Sequence, residues 1–224
     1  MAAGARAVLS WSSGKDSAWM LHRLRQAGEV EIVGLLTTVT ETYARVSMHA
    51  VRDGLLAAQA EAARLPLHRV PIPDPCPNQV YERAMSRAIE RIKADGATAI
   101  AFGDLFLADV RRYREQRLAG TGLTPLFPLW GEDTGALARK MVAGGLAATI
   151  TCVDPKALDA GFCGRAFDAS FLDDLPAGVD ACGENGEFHS FAHAGPMFAR
   201  PIPIRVGETV ARGGFVFTDL LPAG

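Results

Sequence analysis

The sequence predicts an α/β protein: a doubly wound, mostly parallel, Rossmann-like sheet, with a smaller α+β lobe at the C-terminal end. Three observations lead there. Short apolar runs alternate with amphipathic stretches of helical period through the first 150 residues, the pattern of strands crossed over by helices. The texture then changes near residue 154, where Pro176, Gly178, Gly183, Gly186, Gly195, Pro196, Pro201 and Pro203 crowd the chain and apolar residues recur every second position. Finally, 224 residues with 49% hydrophobic and 21% charged side chains can bury a substantial core. We therefore expect two units, residues 1–153 and 154–224.

The strands are expected at Ala7–Ser10, Ile32–Thr37, Leu67–Ile72, Ala97–Phe102, Thr124–Phe127 and Ala147–Val153. Between them, Ser17–Ala27 sets Met20, Leu21 and Leu24 near one face. His49–Arg64 spaces Val51, Leu55, Ala58 and Ala62 three or four apart. Pro77–Ala94 begins with a proline, tolerated in a first turn, and carries Val80, Ala84, Ala88 and Ile92. Two more helices are expected over Ala108–Ala119 and Thr134–Ala143. In the second unit a helix is expected near Arg165–Leu172, and strands around Ile202–Val206 and Phe215–Phe217. In such a sheet, ligands gather at the carboxyl ends of the strands.

Net charge is −2, so no basic stripe marks a nucleic-acid partner. A local basic patch does occur at Arg111, Arg112, Arg114 and Arg117, with Tyr113 among them; a solvated helix face and a phosphate or substrate clamp both fit it. Cys76, Cys152, Cys163 and Cys182 form no C-x-x-C, which leaves free thiols as the default, although Cys163 and Cys182 could meet in space. No apolar run has the length of a membrane span, and a phosphate loop beginning by residue 12 leaves no room for a removable presequence. A cytoplasmic protein is expected.

The stretch Ser12-Ser13-Gly14-Lys15-Asp16-Ser17 follows the first strand and opens the first helix. Small residues let backbone N–H groups approach phosphate oxygens, the helix N-terminus adds partial positive charge, and Lys15 adds a full one. The Walker pattern fails here, because position 9 is Leu and Asp16 follows the lysine. An Asp beside the lysine suits a loop that also handles Mg²⁺. A capped helix start with an exposed lysine is the plainer alternative.

A second motif is Cys182-Gly183-Glu184-Asn185-Gly186-Glu187-Phe188-His189-Ser190. Asn-Gly marks a tight turn, so Glu184 and Glu187 are expected to converge on one small volume, where carboxylates can hold a cation or take a proton. A hairpin tip with solvated acids fits the same residues.

The first motif resembles the S-G-G-K-D-S pyrophosphate loop of the N-type ATP pyrophosphatases, which cleave ATP between the α and β phosphates. Ser13 stands where that family usually has glycine. Gly183–Ser190 resembles the G-E-[GN]-G-E-[FY]-x-[TS] signature of the diphthine–ammonia ligase family within that group. Gly103-Asp104, the Arg111–Arg114 cluster, Pro128-Leu129-Trp130-Gly131 and Arg45-Val46-Ser47-Met48-His49 resemble further blocks of the family, so the resemblance covers nearly the full chain.

The resemblance implies an adenine nucleotide alpha hydrolase-like fold and an AMP- and pyrophosphate-forming amide ligase that uses ATP and Mg²⁺. It implies that ammonium and a carboxylate are the other substrates. The carboxylate is diphthine on elongation factor 2 in archaea and eukaryotes, and is not identified for a bacterial source. Eukaryotic members are expected to carry additional domains around a minimal core of this length. Ser12, Ser13, Gly14 and Ser17 are expected to hold the pyrophosphate, Lys15 to neutralise it and Asp16 to place the metal. Thr37, Thr38, Gly103 and Asp104 are expected around the nucleotide. Glu184 and Glu187 are expected to bind or deprotonate ammonium. His49, Arg112, Trp130, Asn185 and His189 are the candidates for the substrate pocket. A homodimer is compatible with these features.

Two other functions share the nucleotide loop. A tRNA-modifying enzyme would add a basic RNA surface and, for many thiolating enzymes, paired cysteines. A non-catalytic ATP- or AMP-binding regulator would need neither the Lys-Asp pair nor the Glu-Asn-Gly-Glu turn.

Overall fold

The computed structural model describes residues 4–40, 45–46 and 51–223. Five parallel strands form the first sheet in the order β4-β2-β1-β5-β6: β1 (Ala5–Ser10), β2 (Val30–Thr40), β4 (Leu67–Ile72), β5 (Ala99–Ala101) and β6 (Thr124–Leu126). The two-residue β3 (Arg45–Val46) pairs antiparallel with the end of β2. The helices α1 (Lys15–Ala27), α2 (Asp53–Ala63), α3 (Asn78–Ala94) and α4 (Ala108–Leu118) connect these strands, and α5 (Thr134–Ala143) follows β6. Strand order reverses at β1, which opens a crevice between the carboxyl ends of β1 and β5, at the position where open α/β sheets bind ligands.

The second sheet is antiparallel, in the order β8-β7-β10-β9. It contains β7 (Ala147–Val153), β8 (Phe188–Ala194), β9 (Ile204–Arg212) and β10 (Phe215–Pro222), with a short 3₁₀ turn at Ala160–Phe162 and α6 (Ala169–Asp174) between β7 and β8. The first-sheet strands and the helices fall where the sequence places them, within a few residues. The strand β7 is the exception. Its alternation with α5 reads as one more parallel unit, yet it pairs antiparallel with β8 and β10. Its six consecutive buried residues, Ala148 to Val153, reflect a strand covered on both faces, and that apolar run looks the same in either kind of sheet.

The main core runs through both sheets. It joins Leu9, Met20, Leu21 and Leu56 of the first to Ile150, Phe171, Phe188 and Phe191 of the second, with Leu137 and Met141 of α5 between them. A smaller cluster on the other face of the first sheet includes Val8, Leu36, Ile89, Ile100 and Leu118 under α3 and α4. Phe171 is fully buried and packs its ring against Phe162, Phe167 and Phe188, at centroid distances of 5.6, 5.6 and 5.1 Å. Truncating such a ring removes its contacts and leaves a cavity. Phe171→Ala is expected to lower unfolding stability by about 3–5 kcal/mol, measured by denaturant titration.

Candidate functional site

The phosphate loop begins where β1 ends. Trp11 N donates to Leu36 O (2.8 Å), which carries the β1 hydrogen-bonding one residue past the strand. The loop then turns on its own serines: Ser12 Oγ donates to Ser17 Oγ (3.2 Å), Gly14 N donates to Ser12 Oγ (3.3 Å), and Ser17 Oγ donates to Gly14 O (2.9 Å). Ser13 sits at φ 71°, the left-handed region, which costs a non-glycine residue about 1–2 kcal/mol. It is fully buried, and its hydroxyl has no hydrogen-bond partner among the described residues. Its carbonyl accepts from Ala192 N (3.0 Å) of β8 and from Gln59 Nε2 (2.9 Å) of α2. Gly103, just past β5, lies flat against the loop; a Cβ there would come within 3.3 Å of the Asp16 and Ser17 backbone.

Lys15 is only 2% exposed, which overturns the exposed-lysine reading. Its Nζ donates to Asp16 Oδ2 (2.9 Å) and to Cys182 O, with the rings of Phe188 and Phe167 at 5.1 and 5.6 Å. Burial opposes the charge, but Asp16 and the neighbouring acidic groups outweigh it and hold the lysine pKa above its ordinary value. Asp16 Oδ1 is buried with no partner among the described residues. Lys15 N donates to Ser190 Oγ (3.2 Å), so the second sheet reaches the first N–H of α1.

Asp180 organises the second motif. Its Oδ1 accepts from Cys182 N and Glu184 N (both 3.0 Å), and its Oδ2 accepts from the Thr134 hydroxyl at the start of α5. Gly183 turns the chain at φ 67°, where a Cβ would lie 2.8 Å from Phe188 O. The two glutamates have different surroundings instead of sharing one small volume. Glu184 reaches across to the first unit, and its Oε1 accepts from Leu105 N (2.8 Å). Burial, with Asp16 and Asp104 nearby, outweighs that hydrogen bond and pushes Glu184 up to about 7. Glu187 is 6% exposed and folds under the turn. Its Oε1 accepts from Asp180 N and Asn185 Nδ2 (both 3.0 Å), while Oε2 is buried without a partner among the described residues. Neither acid is the solvated tip of a hairpin; Asn185, between them, is exposed.

A cavity of about 560 Å³ opens beside the loop, over the carboxyl ends of β1, β2 and β5. Thr37 and Thr38 line it with Ser12 and His189, and α3 and α4 supply Tyr81, Met85, Arg114 and Arg117. The size suits a small-molecule ligand. Burial, followed by the charge of Lys15, pushes His189 down to about 4, so its imidazole is neutral at pH 7.

The basic cluster of α4 divides between these settings. Arg114 Nε donates to Asp104 Oδ2 (3.3 Å) and stacks on Phe102, while Arg111 lies over Phe127 and Trp130 at 4.7 and 4.8 Å. Arg112 pairs with Asp109 in solvent, away from the cavity lining. Trp130 lies outside that lining too, beneath Arg111. His49 lies outside the described residues.

Gln59, Asp180, Thr134 and the α3 residues of the cavity were not anticipated from sequence. Asp180, two residues before Cys182, carries the signal of an Asx turn. Gln59 is the one polar residue among the buried positions of α2.

Among the described residues, no group of three or more His, Cys, Asp or Glu is arranged to hold a metal ion. That donor set still fits Mg²⁺, which is commonly held by one or two carboxylates together with substrate phosphates and water; the free Asp16 Oδ1 is such a donor. All four cysteines are free, so Cys163 and Cys182 do not pair. Burial pushes the Cys182 thiol well up, which leaves it unreactive. No described helix is long and apolar enough to cross a membrane.

The diphthamide synthase N-terminal domain matches residues 5–124 and the diphthamide synthase C-terminal domain matches residues 133–217. The chain is 27% identical to the diphthine–ammonia ligase of Homo sapiens over 93% of its own length and 86% of the relative's. It is 28% identical to that of Danio rerio, over 93% and 90%. The chain thus spans most of the length of both relatives. With both domains matched in order, and the phosphate loop in one facing the glutamate turn in the other, the chain belongs to the diphthamide synthase family.

Proposed function

We propose that the protein is an ATP-dependent amide ligase that adenylates a carboxylate and passes the acyl group to ammonia, releasing AMP and pyrophosphate. The observation that carries this reading is the junction of the two motifs. The Ser12–Ser17 loop and the Gly183–Ser190 turn meet through Lys15, Cys182 O and Ser190, beside a cavity of nucleotide size. The relatives are named for diphthine and ammonia, which makes diphthine the first acid to test.

ATP enters as a substrate. A carboxylate oxygen of the acid attacks the α-phosphorus, and the bond to the β-phosphate breaks to release pyrophosphate. The acid supplies the nucleophile, so the protein's work is positioning and charge stabilisation. Loop N–H groups and the Ser17 hydroxyl hold the departing pyrophosphate, and Lys15 balances its charge from within the ion pair. Asp16 Oδ1 would hold Mg²⁺, which would supply further positive charge to the phosphates. Thr37 and Thr38 line the pocket for the base, and the missing side chain of Gly103 lets the end of β5 close against the loop that would hold the phosphates.

Ammonium must lose a proton before nitrogen can attack the acyl carbon. Glu184, with its pKa near neutrality, is suited to take it. Glu187 provides a second, buried acceptor oxygen. His189 and Asn185 are proposed to contact the acid, and His49 belongs with them by sequence. A cytoplasmic setting and a division near residue 153 remain part of this reading.

Phosphorus NMR of the protein with Mg·ATP, ammonium and a diphthine-bearing protein tests the reaction. AMP and pyrophosphate are the expected products; ADP and phosphate would refute the adenylation step, and intact ATP despite saturable binding would point to a different acid or to a regulator. Lys15→Met, which keeps the side-chain volume, is expected to lower kcat about 10²–10³-fold, with folding checked by circular dichroism. Glu187→Gln is expected to bind ATP normally but to form little amide, measured by equilibrium binding and product assay.

The rate is expected to rise as pH increases through about 7, where Glu184 loses its proton. Glu184→Gln should flatten that limb. Stability should move oppositely. Between pH 4.5 and about 7 the folded chain keeps a proton on Glu184 that the unfolded chain has released, so this group's contribution falls as pH rises through that window. Thermal melts of both proteins across the range measure it.

A further inference from the structure

Gln59 stands in the middle of α2, fully buried, and its amide is used at both ends. Oε1 accepts from Trp11 Nε1 (2.9 Å); Nε2 donates to Ser13 O (2.9 Å) and to Ala192 O (2.6 Å). The orientation of the amide is unambiguous, because an indole N–H can only donate and the two carbonyls can only accept. One side chain thus ties α2 to the phosphate loop and to β8.

The contact with Ser13 matters most for the loop. A trans peptide points its carbonyl and its N–H in opposite directions. Gln59 Nε2 and Ala192 N draw the Ser13 carbonyl inward, which turns the Gly14 N–H outward, to the side where Ser12 Oγ receives it (3.3 Å). Keeping this orientation requires Ser13 to stay at φ 71°, a conformation that a serine leaves readily and a glycine does not need help to adopt.

We propose that Gln59 is a positioning residue for the phosphate loop: it locks the Ser13 carbonyl inward, and so fixes the turn on which the Ser12 and Ser17 hydroxyls and the start of α1 are presented to pyrophosphate. This rests on the phosphate-loop reading given above. It also accounts for a serine at position 13, because the amide of Gln59 offsets the left-handed conformation that serine resists.

Calorimetric titration of the full chain with inorganic pyrophosphate tests this, using four proteins: wild type, Gln59→Met, Ser13→Gly and the double variant. Gln59→Met is expected to weaken pyrophosphate binding about tenfold. In the Ser13→Gly background the same change is expected to cost less than about threefold, since glycine holds the turn unaided. Equal losses in both backgrounds, or no loss in either, would overturn the role for Gln59 while leaving the loop assignment intact. Failure of the wild-type chain to bind pyrophosphate would overturn both. If Gln59→Met does not fold, Trp11→Phe is added to remove the stranded indole N–H, and the comparison between the two backgrounds is read in the same way.

Discussion

The ammonium of Lys15 is held almost wholly out of water, and its partners come from α1 and from the segments around β8. A bare charge in such a place would carry a desolvation cost of several kcal/mol. Asp16 offsets part of it as a counter-ion, Cys182 O as an acceptor, and two phenylalanine rings as polarisable walls. Each of these is set in place by something else. Asp16 belongs to the first turn of α1, against which Gly103 lies. Cys182 O is presented by a turn that Asp180 ties together and that only a glycine at 183 can make. Removing any support leaves a charge short of partners, so the two motifs and the seam between the sheets form one electrostatic unit.

Around that charge, acidic groups are graded by surroundings. Asp16 gives one oxygen to an ion pair and keeps the other buried and unpartnered among the described residues; Glu184 accepts from Leu105 N and is raised towards neutrality; Glu187 is committed through one oxygen to the turn beneath it. Three carboxylates around one lysine therefore stand in three different settings. That is a useful set for chemistry that must bind a cation, accept a proton and stay assembled.

Much of the fold was legible because its cues are local. The period of the apolar residues located nearly every strand and helix, and the short spacing of Ser12–Ser17 and Gly183–Ser190 marked both halves of the site. What escaped was set by tertiary contacts. The antiparallel pairing of β7 depends on β8 and β10, whose paired residues lie up to 65 positions further along the chain, as for Cys152 and Phe217. The separation of Glu184 from Glu187 depends on Leu105 N and on Asp180. Arg112 and Trp130 were grouped with the pocket through blocks that resemble the family, but the phase of α4 turns Arg114 and Arg117 to the cavity and Arg112 to solvent. Gln59 shows the same limit: a lone polar residue on a buried helix face announces that it has partners, not which ones.

The contacts that complete the site join residues very distant in sequence: 167 between Lys15 and Cys182, and 175 between Lys15 and Ser190. Closing contacts of such range carries a loop-entropy cost that the finished seam must offset. A nascent chain that has made the whole first sheet still lacks the groups that cover its lysine. Any molecule gripping the finished seam binds only the complete fold, and so stabilises every element of it together, in proportion to the logarithm of its concentration over its dissociation constant. The ligand thereby acts as a thermodynamic rivet between the two ends of the polypeptide, and the resistance of the protein to heat or protease should track how well that seam is occupied.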